Sequence, residues 1–123
     1  MISENLRREV NYYMECMANS YIGCTGKDIE DVIYDFDFVD QVQQDLEQVG
    51  FTSDETSEIY TGTYSKDITK YKILAYCYLR YNGFKTIEEL KTIIRSDSDE
   101  SNLEDFTEEE LNKILEASKL VDY

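Results

Sequence analysis

Apolar residues recur at helical spacing along most of this chain. Leu6, Val10, Tyr13, Met14, Met17 and Tyr21 share one face after Ser3, a residue suited to capping a first helix, and Gly23 stands where that helix is predicted to stop. Ile29, Val32, Ile33, Phe36, Val39, Leu46 and Val49 form a second stripe ending at Gly50. That stripe drifts around the helix axis, which predicts a kink or break near residues 37–40. Tyr34-Asp35-Phe36-Asp37-Phe38 also alternates apolar and acidic as a strand does. Helix is the preferred reading, because Gln- and Asp-rich sequence follows without a turn signal. Residues 52–57 read as a polar loop, and residues 58–64 as a short strand or hairpin of β-branched and aromatic residues.

Ser65 or Asp67 caps the next predicted helix. Its residues 68–79 are apolar nearly all round, the mark of a central element. Asn82-Gly83-Phe84 reads as a left-handed stop followed by a hydrophobic contact. Thr86 with Glu89 and Thr107 with Glu110 form two capping boxes, opening helices whose stripes are Ile87, Leu90, Ile93, Ile94 and then Leu111, Ile114, Leu115. Phe106 and Leu111 occupy staple positions. The expected fold is mainly α: a compact bundle of about five helices in one domain over residues 1–123, with the strand or hairpin near residues 58–64.

Composition supports a packed core. The 123 residues are 41% hydrophobic, with eleven Tyr, five Phe and no Pro. No run is long and apolar enough for a transmembrane span, and the first residues lack an apolar signal core, so a cytoplasmic location is expected. Cys16, Cys24 and Cys77 are odd in number and widely spaced, which suits a reducing compartment and reads as small buried hydrophobes.

Charge changes the picture most. Twenty-seven acids face twelve bases, a net of −15. Residues 25–60 carry one Lys and eleven acids (−10), residues 61–95 carry +4, and residues 96–123 carry −8. Direct binding to nucleic acid or to an anionic membrane is therefore disfavoured, because both rest on Lys and Arg meeting phosphate. The basic segment (Lys66, Lys70, Lys72, Arg80, Lys85, Lys91 and Arg95) is expected to pair with the acidic blocks across the fold.

Catalytic chemistry is thin. With no His, the commonest general base and zinc ligand is missing. No Cys-x-x-Cys, phosphate loop, dinucleotide fingerprint or serine elbow occurs. Residues 97–108 resemble an EF-hand loop with oxygens at Asp97, Asp99, Ser101, Asp105 and Glu108, but Asn102 replaces its glycine and Glu104 its packing apolar residue. Glu108 already belongs to a capping box. No cofactor, no favoured metal site and no enzymatic activity are expected.

Ordered carboxylates can instead imitate phosphates. Duplex DNA carries one charge per roughly 1.7 Å of axis. A helix rises about 1.5 Å per residue, so acids on one face give a sparser line, which a second helix or chain brings closer to duplex density. The candidate contact residues are Asp28, Glu30, Asp31, Asp35, Asp37, Asp40, Asp45 and Glu47, with Asp97, Asp99, Glu100, Glu104, Asp105, Glu108 and Glu109.

Lys27-Asp28-Ile29-Glu30-Asp31-Val32-Ile33 opens an acidic helix, Glu47-Gln48-Val49-Gly50-Phe51 closes it, and Ser65-Lys66-Asp67-Ile68 opens an aromatic one. That layout resembles the overcome-classical-restriction proteins of T7-like phages, small acidic helical dimers that mimic DNA and block restriction enzymes. Anti-CRISPR proteins share its size, acidity and lack of catalytic residues. The resemblance implies a non-enzymatic inhibitor whose partner is a cationic protein, a guided or DNA-binding nuclease. An acidic immunity or antitoxin protein and a calcium-binding adaptor are the alternatives. A homodimer stays open, since a monomer core explains the apolar 68–79 helix equally well.

Overall fold

The helix spanning Asp67–Tyr81 carries the core, as its all-round apolar sequence predicts. Its Ile73, Leu74, Ala75 and Tyr78 are wholly buried. In the computed structural model, which describes residues 2–97 and 106–122, seven helices occur among the described residues and no strand. They are α1 (Ile2–Thr25), α2 (Ile29–Val32), α3 (Phe36–Gln48), α4 (Ser53–Thr61), α5 (Asp67–Tyr81), α6 (Ile87–Asp97) and α7 (Glu108–Ser118). Helix α5 packs against α1, α4, α6 and α7, while α1 also meets α2 and α3. Leu90, Ile93 and Ile94 of α6 and Leu111, Ile114 and Ala117 of α7 are buried in the same core.

Local chemistry fixes the helix boundaries, and three depart from expectation. Helix α1 runs past Gly23 to Thr25, where the Gly26 amide donates to the Ile22 carbonyl at 2.7 Å. The break in the acidic stretch falls at residues 33–35, before the predicted 37–40. There Asp35 accepts the Asp37 amide at 2.9 Å and restarts the chain as α3. Residues 34–38 are accordingly a turn and a helix start, not a strand. Asn82 is extended (φ −165°) rather than left-handed, although Phe84 beyond it is buried as expected.

The largest correction concerns residues 52–64. The predicted loop and strand are helix α4 over most of their length. Thr52-Ser53-Asp54-Glu55 is a full capping box: the Thr52 hydroxyl accepts the Glu55 amide at 3.2 Å, and the Glu55 carboxylate accepts the Thr52 amide at 2.9 Å. Thr56 and Ile59 then bury one face, and Gly62 closes the helix with its amide on Glu58. A β-branched and aromatic run is only a weak prior, and a satisfied cap with a buried i, i+3 face overrides it. The Thr107–Glu110 box forms as predicted. At α6, Thr86 accepts the Glu89 amide at 3.2 Å, while the Glu89 carboxylate reaches back to the Lys85 amide at 3.1 Å.

Gly50 joins the C-terminal segment to the α3–α4 turn. Its φ is +101°, and a Cβ there would lie 2.9 Å from the Leu120 carbonyl oxygen. Beside it the Asp122 amide donates to the Val49 carbonyl at 2.8 Å. Gly50→Ala is expected to cost about 1–3 kcal/mol, through backbone strain and backbone contact together. A urea midpoint equal to that of the wild type would show that neither constraint holds.

Candidate docking surface

The acidic face is built on a one-turn helix and the start of the next. Val32 is wholly buried and anchors α2, which turns Glu30 and Asp31 to solvent. Tyr60 of α4 donates its hydroxyl to the Ile33 carbonyl at 2.5 Å, fixing the end of that turn. Asp35 fixes the next step. Its carboxylate accepts the Lys27 ammonium and the Asp37 amide, with the Tyr21 hydroxyl at 3.4 Å. The Lys27 bond and then the Asp37 amide hold the Asp35 carboxyl below its ordinary range.

The structure sorts the candidate carboxylates into distinct groups. Asp28, Glu30, Asp31, Asp37 and Asp40 are exposed, and among the described residues their carboxylates take no hydrogen bond or ion pair. Asp35 is committed to the turn. Asp45 is half-buried and accepts the Tyr13 hydroxyl at 2.6 Å and the Tyr76 hydroxyl at 3.0 Å. Glu47 is exposed but accepts Gln43 Nε2 at 3.1 Å and Ser53 Oγ at 2.9 Å, bonds that lower its pKa, Gln43 first. In the second block Glu108 meets Lys91 at 3.1 Å and Glu109 meets Lys113 at 3.4 Å. Such exposed pairs contribute little stability, yet they cancel charge locally. Asp97 ends α6 without a described side chain, and Asp99, Glu100, Glu104 and Asp105 lie outside the described residues.

Most of the calcium candidate lies there too: Asp99, Ser101 and Asp105 are outside the described residues. Among the described residues no three acids or cysteines are grouped to hold a metal ion. The basic segment pairs across the fold in part. Lys72 reaches Glu55 of the first acidic block at 2.9 Å, and Lys91 reaches Glu108 of the second. Among the described residues Lys70 pairs with its neighbour Asp67, and Arg80 stacks over Tyr13. Cys77 is buried as expected, whereas Cys24 is exposed.

Three apolar residues assigned to the buried stripe, Ile29, Ile33 and Phe36, are exposed instead, the two Ile by nearly half. Tyr34 is exposed too. The buried set of α3 is Phe38, Val42 and Leu46. The signal was available: an Asp35 cap starts the helix at Phe36, and i, i+4 spacing from Phe38 then points Phe36 and Asp40 outward. Comparison with protein families, curated proteins and solved structures finds no match to this chain. Among the described residues no helix is long and apolar enough to cross a membrane.

Proposed function

We propose that this protein is a non-enzymatic inhibitor that docks on the cationic, nucleic-acid-binding surface of a host-defence nuclease, a CRISPR effector or a restriction enzyme. The contact is α2 with the first turn of α3, on a compact helical bundle. One observation carries the reading. Five carboxylates within residues 28–40 stay exposed and unpaired among the described residues, while Asp35, Asp45, Glu47, Glu108 and Glu109 are bonded internally. Leaving like charges together costs compactness and gains solubility or a cationic partner. A partner's Lys and Arg would meet these carboxylates as they meet phosphates, with fast, salt-sensitive association. The decoy is thereby confined to one end of the first acidic block.

The test is competition. Purified Cas9 ribonucleoprotein and a type I restriction enzyme are loaded with DNA and challenged with the protein at low and moderate salt. Displacement of DNA from one of them is expected, weakening steeply as salt rises. The variant Asp28→Asn/Glu30→Gln/Asp31→Asn/Asp37→Asn should melt within a few degrees of the wild type and lose roughly tenfold or more in affinity. Failure to displace DNA from either enzyme, or equal potency of the variant, would sink the proposal.

A further inference from the structure

Two aromatic rings stand in solvent where the acidic face bends. Tyr34 is 83% exposed and Phe36 is 84% exposed, with Ile29 and Ile33 nearly half exposed on the preceding turn. A single exposed apolar residue is ordinary, whereas four within eight positions of one helix-turn-helix stretch are a local concentration of apolar surface. The backbone under them is fixed on both sides of Tyr34. Ile33 is tied to Tyr60, and Asp35 is tied to Lys27 and to the Asp37 amide. Rings presented on a pinned backbone lose little further freedom when covered, which is the economy of a preorganised contact. Aromatic anchors inside a polar rim have the form of a binding hot spot.

Charge decides what covers them. The rim is Asp28, Glu30, Asp31, Asp37 and Asp40, and Lys27, the one base of residues 25–60, is paired with Asp35. A second copy docking by two-fold symmetry would set these acids against themselves. Nucleic acid and anionic lipid are repelled for the same reason. We propose that Tyr34 and Phe36 insert into an apolar slot, bordered by Lys and Arg, on a partner protein. The inference rests on the docking reading above and adds a component of binding that salt does not screen. A nuclease surface with such a slot is then preferred over an equally basic surface without one.

The test uses the purified protein and two synthetic peptides of equal length and charge, one of Lys and Leu, one of Lys and Ser, with binding followed by polarisation of a labelled peptide. The wild type is expected to prefer the Lys/Leu peptide by roughly tenfold, with the preference kept at high salt. Tyr34→Ser/Phe36→Ser should melt like the wild type, bind the Lys/Ser peptide equally well and lose the preference. A double variant that keeps the preference overturns the inference. So does sedimentation showing a wild-type dimer that the double variant abolishes, because the face would then belong to a second copy. Lys/Ser binding that survives neutralisation of the four acids overturns the docking reading and leaves the aromatic preference to be judged by itself. A wild type that binds neither peptide overturns both.

Discussion

Lys72→Met is expected to remove about 3–5 kcal/mol of stability, the scale for breaking one side of a buried ion pair. The Lys72 ammonium donates to Glu55 Oε1 at 2.9 Å and to the Gly50 carbonyl at 2.7 Å, and it lies 4.8 Å from the centre of the Phe51 ring. Its side chain is 7% exposed and that of Glu55 is 12% exposed. One cation therefore joins α5 to the α3–α4 turn and to the cap of α4. Methionine keeps most of the stem's packing, so the loss isolates the charge. It takes the ammonium from the Gly50 carbonyl and from the Glu55 carboxylate, which keeps only the Thr52 amide among the described bonds. Lys72→Met combined with Glu55→Gln should cost less than the two single changes summed. Urea unfolding measures all three, and a single variant as stable as the wild type would show that water replaces the ammonium without penalty.

The same pair sets an acid limit. Burial pushes the Glu55 carboxyl up, but the Lys72 bond and the Thr52 amide outweigh it, and the folded group sits below the usual 4.5. A depressed folded pKa contributes stability that is present above pH 4.5 and is lost as pH falls below it. The stability gap between the wild type and Glu55→Gln should therefore narrow below that pH, and above it should be smaller when Lys72 is methionine.

Periodicity made the centre of the molecule legible. Ile73, Leu74, Ala75 and Tyr78 are buried on several sides of α5 because that helix has partners on several sides, as its all-round apolar sequence predicts. The Thr107 box formed as written because its geometry is local. The equivalent Thr52-x-x-Glu55 signal lay in the sequence with the same force and was outweighed by β-like composition downstream. Lys72 was legible as a base that pairs with an acidic block, as it does with Glu55, but not by its particular partners. Its position among apolar residues of α5 gives burial, but its partners are twenty-two and seventeen residues away, across contacts that only packing decides. The acidic face was legible as charge and not as shape. Composition cannot tell Asp31, which faces water, from Asp35, which builds the turn beside it.

Asp45 is where that distinction has its largest consequence, and Asp45→Ala is expected to cost about 2–4 kcal/mol. In sequence it is one more acid of the −10 block. On α3 it follows Phe38 and Val42 along the buried side and adjoins Leu46, and it receives two phenol hydroxyls from different helices, Tyr13 of α1 and Tyr76 of α5. Hydrogen bonds to a charged acceptor contribute about 1.5–3 kcal/mol each, discounted here because the carboxylate is only half-buried. Tyr13 is nearly fully buried, and its ring meets Tyr76 edge-on at 5.6 Å, so neither hydroxyl can turn to water without moving the packed rings. Burial first, then the Asp45 bond, raises the Tyr13 phenol well above its usual 10.0. A raised folded pKa gives stability that is present below pH 10 and is lost as pH rises through the folded value, so this contribution is intact at neutral pH. Removing the acceptor alone takes the Asp45 bond from two hydroxyls, whereas Asp45→Ala with Tyr13→Phe and Tyr76→Phe removes donors and acceptor together and should cost less. Asp45→Ala should lower the melting temperature by roughly 10 °C. Well below that temperature its competition for a nuclease surface should equal the wild type's. A variant that melts normally but competes poorly would return Asp45 to the docking face and remove it from the core.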